Sequence, residues 1–241
     1  MNITFITLYP DQLSAFLNRG VLKKAIESGT IVIECINLRS FADEPHYAVD
    51  DYPYSKRQGM VLKPDILQAA IASVPHSTII MPDPKGHMFD HHRANSLSKD
   101  ASLLFVCPAF EGVDERVFDL FNIERYRVAD VIVPTGDTPA VVMAESIIRY
   151  LPDVLGCSQC VENDSLLSGL LEAPHYTSPK IIESLGVPDV LLSGHHSKIE
   201  DWKMAQSLSQ TLFSRPDLIN LFNFNEKLVT MIDQIVMEDH E

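Results

Sequence analysis

The sequence predicts an α/β fold, with a mostly parallel sheet and covering helices over residues 1–160 and a small all-helical domain over residues 161–241. Three observations predict it. Apolar runs rich in Ile, Val and Leu alternate with helix-patterned segments along the first 160 residues, as expected where a parallel sheet is buried on both faces. The β-like runs then stop while helical spacing continues. No internal repeat or low-complexity run interrupts either part.

The expected strands are NITFITLY, TIVIECINL, STIIMP (77–82), SLLFVC (102–107) and VADVIVP, the last ending at residues 129–134. Between them DQLSAFLNRG, GVLKKAIESG, PDILQAAIASV, DERVFDLF and TPAVVMAESIIRYL carry apolar residues at helical spacing with Gly or Pro at their ends, the usual punctuation of helices. A linker, PDVLGCSQCVEND (152–164), leads to SPKIIESLG, HSKIEDWKMAQSLSQTLF, RPDLINLF and NEKLVTMIDQIVMED, all read as helices. Ligands of parallel sheets bind beyond the C-terminal ends of the strands. That rule directs attention to MPDPKG, CPAFEG and VPTGDTPA, three tight loops that combine Pro and Gly with one acid.

Composition narrows the class. At 241 residues, 46% hydrophobic and 22% charged, the chain has the make-up of a soluble globular protein able to bury its own core. No stretch approaches the roughly 18 apolar residues of a membrane span. The start, MNITFITLYPDQ, lacks a basic segment and a cleavage site, so a cytoplasmic protein with no membrane partner is expected. Cys35, Cys107, Cys157 and Cys160 do not make a disulfide framework in a chain of this size. Cys157 and Cys160 form a C-x-x-C pair without a second pair at zinc-finger spacing, and read as small loop residues. His87 and His91, spaced one helical turn apart in GHMFDHHR beside His92, read as a solvated helix face, so no metal site is expected.

The formal net charge is −14. Residues 1–160 carry 14 Lys and Arg against 20 Asp and Glu, net −6, and residues 161–241 carry 5 against 13, net −8. Phosphate backbones are gripped by Lys and Arg, so any nucleic-acid role must rest on a local patch.

CPAFEGVDER, ADVIVPTGDTPA, LPDVLG, ENDSLLSGLLEAPHYTSP, VPDVLLSGHHSKIEDWK and, near residue 60, DDYPYSKRQGM occur in the order and near the spacing of blocks of the bacterial tRNA (guanine-N1)-methyltransferase family, TrmD, which the chain resembles from residue 1 to about 215. The resemblance implies a SPOUT-type domain with a deep trefoil knot, an exception to the rule against knotted chains, at 1–160, and a substrate-binding domain at 161–241. It also implies a homodimer with the active site at the subunit interface, S-adenosylmethionine as cofactor, and methylation of N1 of the tRNA guanine just 3′ of the anticodon. The cofactor loops fall at 81–86, 107–112 and 128–139. Pro84, Gly86, Phe110, Glu111, Gly112, Val128, Val133, Gly136 and Pro139 are the implied cofactor-binding residues. Guanine N1 carries a proton at neutral pH, so a carboxylate must take it; the family's base falls on Asp164. The group that offsets charge on O6 falls on Arg149, with Mg2+ a second candidate for that task.

Plainer roles stand beside these. Asp164 precedes LLSGLL and suits a helix N-cap. Arg149 ends a helix, where the dipole favours a cation. Glu111 suits a solvated turn, and His175 and Tyr176 suit packing and hydrogen bonding in a rigid turn. The chain also departs from the family in the same loops. CPAFEG replaces C-G-R-Y-E-G, placing Pro108 and Ala109 where a glycine and an arginine are usual, and PTGDTP replaces S-G-G-E-x-P, introducing Pro134 and Thr135. SKRQGM stands for a Gly-rich loop, Tyr47 for an arginine, and Glu200 and Asp201 lie in a helix that is basic in the family. Two alternatives therefore stay open: a methyltransferase of this fold acting on a small molecule or peptide, and a non-catalytic homologue.

Overall fold

A computed structural model describes residues 1–54, 59–155, 169–219 and 228–232. The chain falls into two compact units, Met1–Ser158 and Gln159–Glu241.

The first unit is built on a five-stranded sheet. Its strands are β1 (Asn2–Thr7), β2 (Val32–Asn37), β5 (Thr78–Met88), β6 (Ser102–Val106) and β7 (Ile123–Arg127), in the spatial order β2-β1-β6-β5-β7. Every pairing is parallel, with Phe5 opposite Phe105 and Ile80 opposite Phe105 in register. Parallel neighbours need crossover connections, supplied chiefly by helices α1 (Pro10–Leu17), α2 (Gly20–Glu27), α3 (Pro64–Ala72), α4 (His91–Leu97), α5 (Arg116–Leu120) and α6 (Asp137–Ile148). A short antiparallel pair, β3 (Asp50–Asp51) with β4 (Val61–Leu62), lies beside them.

Strand side chains alternate between faces, and the core divides accordingly. Ile3, Phe5, Leu103 and Phe105 pack on one face with α1, α2, α4 and α6, while Ile6, Leu104 and Val106 pack on the other with α3 and Val117 of α5. Phe5 and Phe105 stack with ring centroids 5.0 Å apart. Burial on both faces explains why these strands read as continuous apolar runs.

Three expectations for this unit change. VADVIVP is not a strand: the strand is Ile123–Arg127, and Val131 and Ile132 are 63% and 80% exposed in the loop after it. IERYR escapes an apolar search because β7 is an edge strand whose charged side chains pair sideways, Arg93 with Glu124, Arg125 with Asp83 at 3.6 Å and Arg127 with Asp130 at 2.8 Å. STIIMP continues to Met88, its register against β7 shifting between Pro82 and His87, so His87 lies on a strand and His91 opens α4. The two histidines therefore share no helix face.

The second unit is not all helical. SPKIIESLG forms a two-stranded antiparallel hairpin, Ile181–Ile182 with Leu185–Gly186, turning at Glu183 with φ 55°. Pro179 ahead of it and Gly186 within it are poor interior residues for a helix. The long helix His196–Ser214 is present, followed by Pro216–Ile219 and a helical segment at 228–232. Leu170, Leu208 and Leu228 form its described core with Met231 and Ile232. Thr211 is fully buried; its hydroxyl donates to the Ser207 carbonyl at 2.6 Å and accepts from the Leu171 N–H at 2.9 Å. No described helix is long and apolar enough to cross a membrane.

Candidate functional site

Segments 107–112 and 128–136, which leave the C-terminal ends of β6 and β7, meet residues 82–86, the irregular stretch inside β5 where its register shifts. They enclose a pocket of about 440 Å³. Eight of the nine residues expected to bind the cofactor line it: Pro84, Phe110, Glu111, Gly112, Val128, Val133, Gly136 and Pro139. Gly86 does not. Its role is a close approach, because a Cβ there would sit 2.4 Å from the Arg125 carbonyl carbon, and its carbonyl accepts from Arg127 Nη1 at 2.7 Å. Glycine therefore permits the shifted register that aims Pro82–Pro84 at the pocket.

The two loops that depart from the family hold each other. Gly136 N–H donates to the Pro108 carbonyl at 2.7 Å, and Ala109 and Thr135 form an antiparallel bridge. A Cβ on Gly136 would meet Pro108 Cδ at 2.4 Å, so the proline ring fills the space that glycine leaves. Pro108, Ala109, Pro134 and Thr135 all line the pocket, which stays open. Below the loop, Glu111 N–H donates to the Met60 carbonyl and Leu62 N–H to that of Gly112, both at 3.0 Å. Phe110 is held at φ 59° and is 45% exposed, a left-handed conformation that disfavours a side chain and gathers at functional sites.

Sequence reasoning missed Tyr126 and Arg127, whose strand it also missed. Tyr126 lines the pocket, while its hydroxyl donates to Glu124 Oε2 at 2.7 Å and its ring meets Phe89 edge-on at 5.5 Å. Burial first, and then the bonded Glu124 carboxylate, pushes its pKa up to about 12, so it stays a neutral, anchored wall. The wall is otherwise largely apolar, with Val131, Ile132, Val133 and Val142 along the rim. A smaller space of about 210 Å³ adjoins it, sharing Pro82, Pro84, Pro108 and Glu111 and adding Lys85 and Glu115.

Of the expected catalytic pair, Arg149 does not line this pocket. Arg149 follows α6 at its C-terminal end, and Gly136 stands at the N-terminal end. Val142, halfway along the helix, is the last of its residues to line the pocket, which leaves Arg149 roughly 10 Å further along at 1.5 Å per residue. Asp164 lies outside the described residues, as do Cys157 and Cys160. His175 Nε2 donates to Glu172 Oε2 at 3.1 Å, and the Tyr176 ring stands 6.3 Å from that of Trp202. Glu200 is paired with Lys203 at 2.9 Å, which offsets part of that helix's negative charge. Among the described residues, no group of three or more His, Cys, Asp or Glu side chains is arranged to hold a metal ion.

Comparison with known proteins accords with the motifs. Residues 1–221 match the profile of the family described as tRNA (Guanine-1)-methyltransferase TrmD. The chain is 38% identical over 239 residues to a "tRNA (guanine-N(1)-)-methyltransferase" of Anoxybacillus flavithermus, covering 97% of this chain and 98% of the relative. A protein of the same name from Geotalea uraniireducens is 40% identical, covering 91% and 90%, and one from Bacillus subtilis is 39% identical, covering 91% and 92%. Coverage of this extent includes the altered loops and reaches into the C-terminal unit, and the chain belongs to the tRNA (guanine-1)-methyltransferase TrmD family.

Proposed function

We propose that this protein methylates N1 of the guanine 3′ of the anticodon in tRNA, with S-adenosylmethionine held in the three-loop pocket. The observation that carries this reading is the pocket itself: eight of the residues expected at the cofactor surround one open space of about 440 Å³. That volume is within the range of cofactor sites. The fit is also chemical, because the largely apolar wall suits an adenine ring. When bound, S-adenosylmethionine supplies an electrophilic methyl group on a sulfonium.

The chain's own residues manage the guanine. Asp164 takes the proton from N1, freeing the nitrogen's lone pair. Arg149 offsets the negative charge that passes to O6, and no Mg2+ ligand set is proposed. Because Arg149 does not line the pocket of its own chain, we place the complete site between two copies of the protein, in a homodimer. The knotted SPOUT arrangement of residues 1–160 and a substrate-binding role for residues 161–241 belong to the same proposal, as does action in the cytoplasm.

Incubating the full chain with labelled S-adenosylmethionine and unmodified tRNA tests the reading. Label at N1 of that guanine supports it; labelled product from a small molecule or peptide, with tRNA unlabelled, would overturn the acceptor while keeping the donor.

A further inference from the structure

Behind the pocket, three chain segments meet in a polar contact that none of the roles above uses. Thr7 ends β1 and is fully buried. Its hydroxyl donates to Asp137 Oδ1 and accepts from the Tyr9 N–H at 2.9 Å. Asp137 opens α6 directly after Gly136. Cys107, which directly precedes Pro108, is bound to the same place: its N–H donates to the Ile6 carbonyl at 2.9 Å, and its buried thiol faces the Asp137 carboxylate, with burial first and that carboxylate second holding the thiol protonated. The carboxylate thus ties the ends of β1 and β6 to the start of α6.

One residue further toward the pocket, the same segments form its two walls. Gly136 N–H is bonded to the Pro108 carbonyl, and Ala109 is bridged to Thr135. Any displacement of Asp137 is carried into both walls, since interiors are packed too tightly to absorb it. Packing alone does not call for this pair. A carboxylate loses hydration when partly buried, and apolar side chains of similar volume would hold the helix to the sheet at no such cost. A hydroxyl-to-carboxylate bond adds direction and a fixed separation instead.

We propose that Thr7 and Asp137 are positioning residues for the cofactor pocket, their hydrogen bond setting the spacing of the 108–112 and 133–136 walls and thereby the affinity for S-adenosylmethionine. The inference rests on the reading of this pocket as the cofactor site.

The test is calorimetric titration of S-adenosylmethionine into the full-length protein and its Thr7→Val and Thr7→Ser variants, with thermal unfolding and steady-state kinetics alongside. Valine keeps the volume and removes the hydroxyl; serine keeps the hydroxyl and removes the methyl. Thr7→Val should weaken cofactor binding, and raise its KM, by about tenfold or more, the scale of one charge-assisted hydrogen bond, with KM for tRNA unmoved. Thr7→Ser should stay within about threefold of wild type because the bond survives. The reverse order, serine weak and valine tight, is what packing alone would give and would overturn the inference, as would equal affinities. Asp137→Asn, of the same size, should also bind at least about tenfold more weakly, and covers the case in which Thr7→Val fails to fold; unchanged affinity there overturns the inference as well. Wild-type protein that binds no cofactor sinks the pocket reading, and this inference with it.

Discussion

The two units order their functional surfaces by different means. Met1–Ser158 buries an apolar cluster on each face of a parallel sheet, and its pocket is made by two loops bonded to one another and an irregular stretch of β5. Gln159–Glu241 has, among its described residues, a core of Leu170, Leu208 and Leu228, with one buried threonine bonded to the Leu171 backbone. The first unit holds its pocket through backbone bonds between the loops, Gly136 to Pro108 and Glu111 to Met60. Among its described residues the second offers few fixed points, and its surface hairpin leaves Ile181, Ile182 and Leu185 at 62%, 60% and 75% exposure. Under the proposed function, donor binding falls to the first unit and acceptor handling, with Asp164, to the second.

The sharpest way to break that division is Asp164→Asn. Turnover on tRNA should fall by about 10²–10⁴-fold, the size of a general-base contribution, while S-adenosylmethionine binds as before; a variant with normal turnover would end the assignment of Asp164 as base. A paired comparison of cores comes next. Phe105→Ala removes a fully buried ring stacked on Phe5 and should cost about 3–5 kcal/mol in chemical denaturation, taking cofactor binding with it. Leu208→Ala, in the smaller cluster, should cost about 2 kcal/mol and spare cofactor affinity. Cofactor affinity lost in both variants would erase the proposed independence of the pocket.

Smaller effects sharpen the picture within the first unit. Gly86→Ala forces a Cβ against the Arg125 backbone and should cost about 1–3 kcal/mol as overpacking, read by thermal unfolding; a neutral result would mean that β5 and β7 part easily. At the small end lies Asp114, whose carboxyl is held below its ordinary value of 3.8 by its bond to Arg116. A lowered folded-state pKa stabilises above the ordinary value and is lost as pH falls through the lowered one. Asp114→Asn should thus reduce stability slightly at neutral pH and converge with wild type in strong acid; a gap that widens in acid would contradict this.

Much of the first unit was legible in sequence because burial on both sheet faces leaves unbroken apolar runs, and because Pro and Gly punctuate its helices. Two of the failures share one cause. Val131–Val133 reads as a strand because its residues are apolar, yet its surroundings are pocket and solvent; Ile123–Arg127 lacks an apolar run because its charges pair along an edge. Hydropathy reports what a residue tolerates, and edge strands and pocket rims are the places where that differs from where it sits. The family motifs located the three loops that the structure gathers around the pocket. They could not show that Pro108 fills the space beside Gly136, because this is a contact between two loops far apart in the chain. Nor could they show the Thr7–Asp137 bond, which spans 130 positions of sequence.

The most direct measurement is a calorimetric titration of S-adenosylmethionine into the full chain and into Gly136→Ala, whose added Cβ would press on the Pro108 ring and displace a pocket wall. A pocket of the kind described predicts saturable heat from the wild type and its loss in Gly136→Ala. Absence of heat from the wild type up to millimolar cofactor, or unaltered binding by Gly136→Ala, would contradict it.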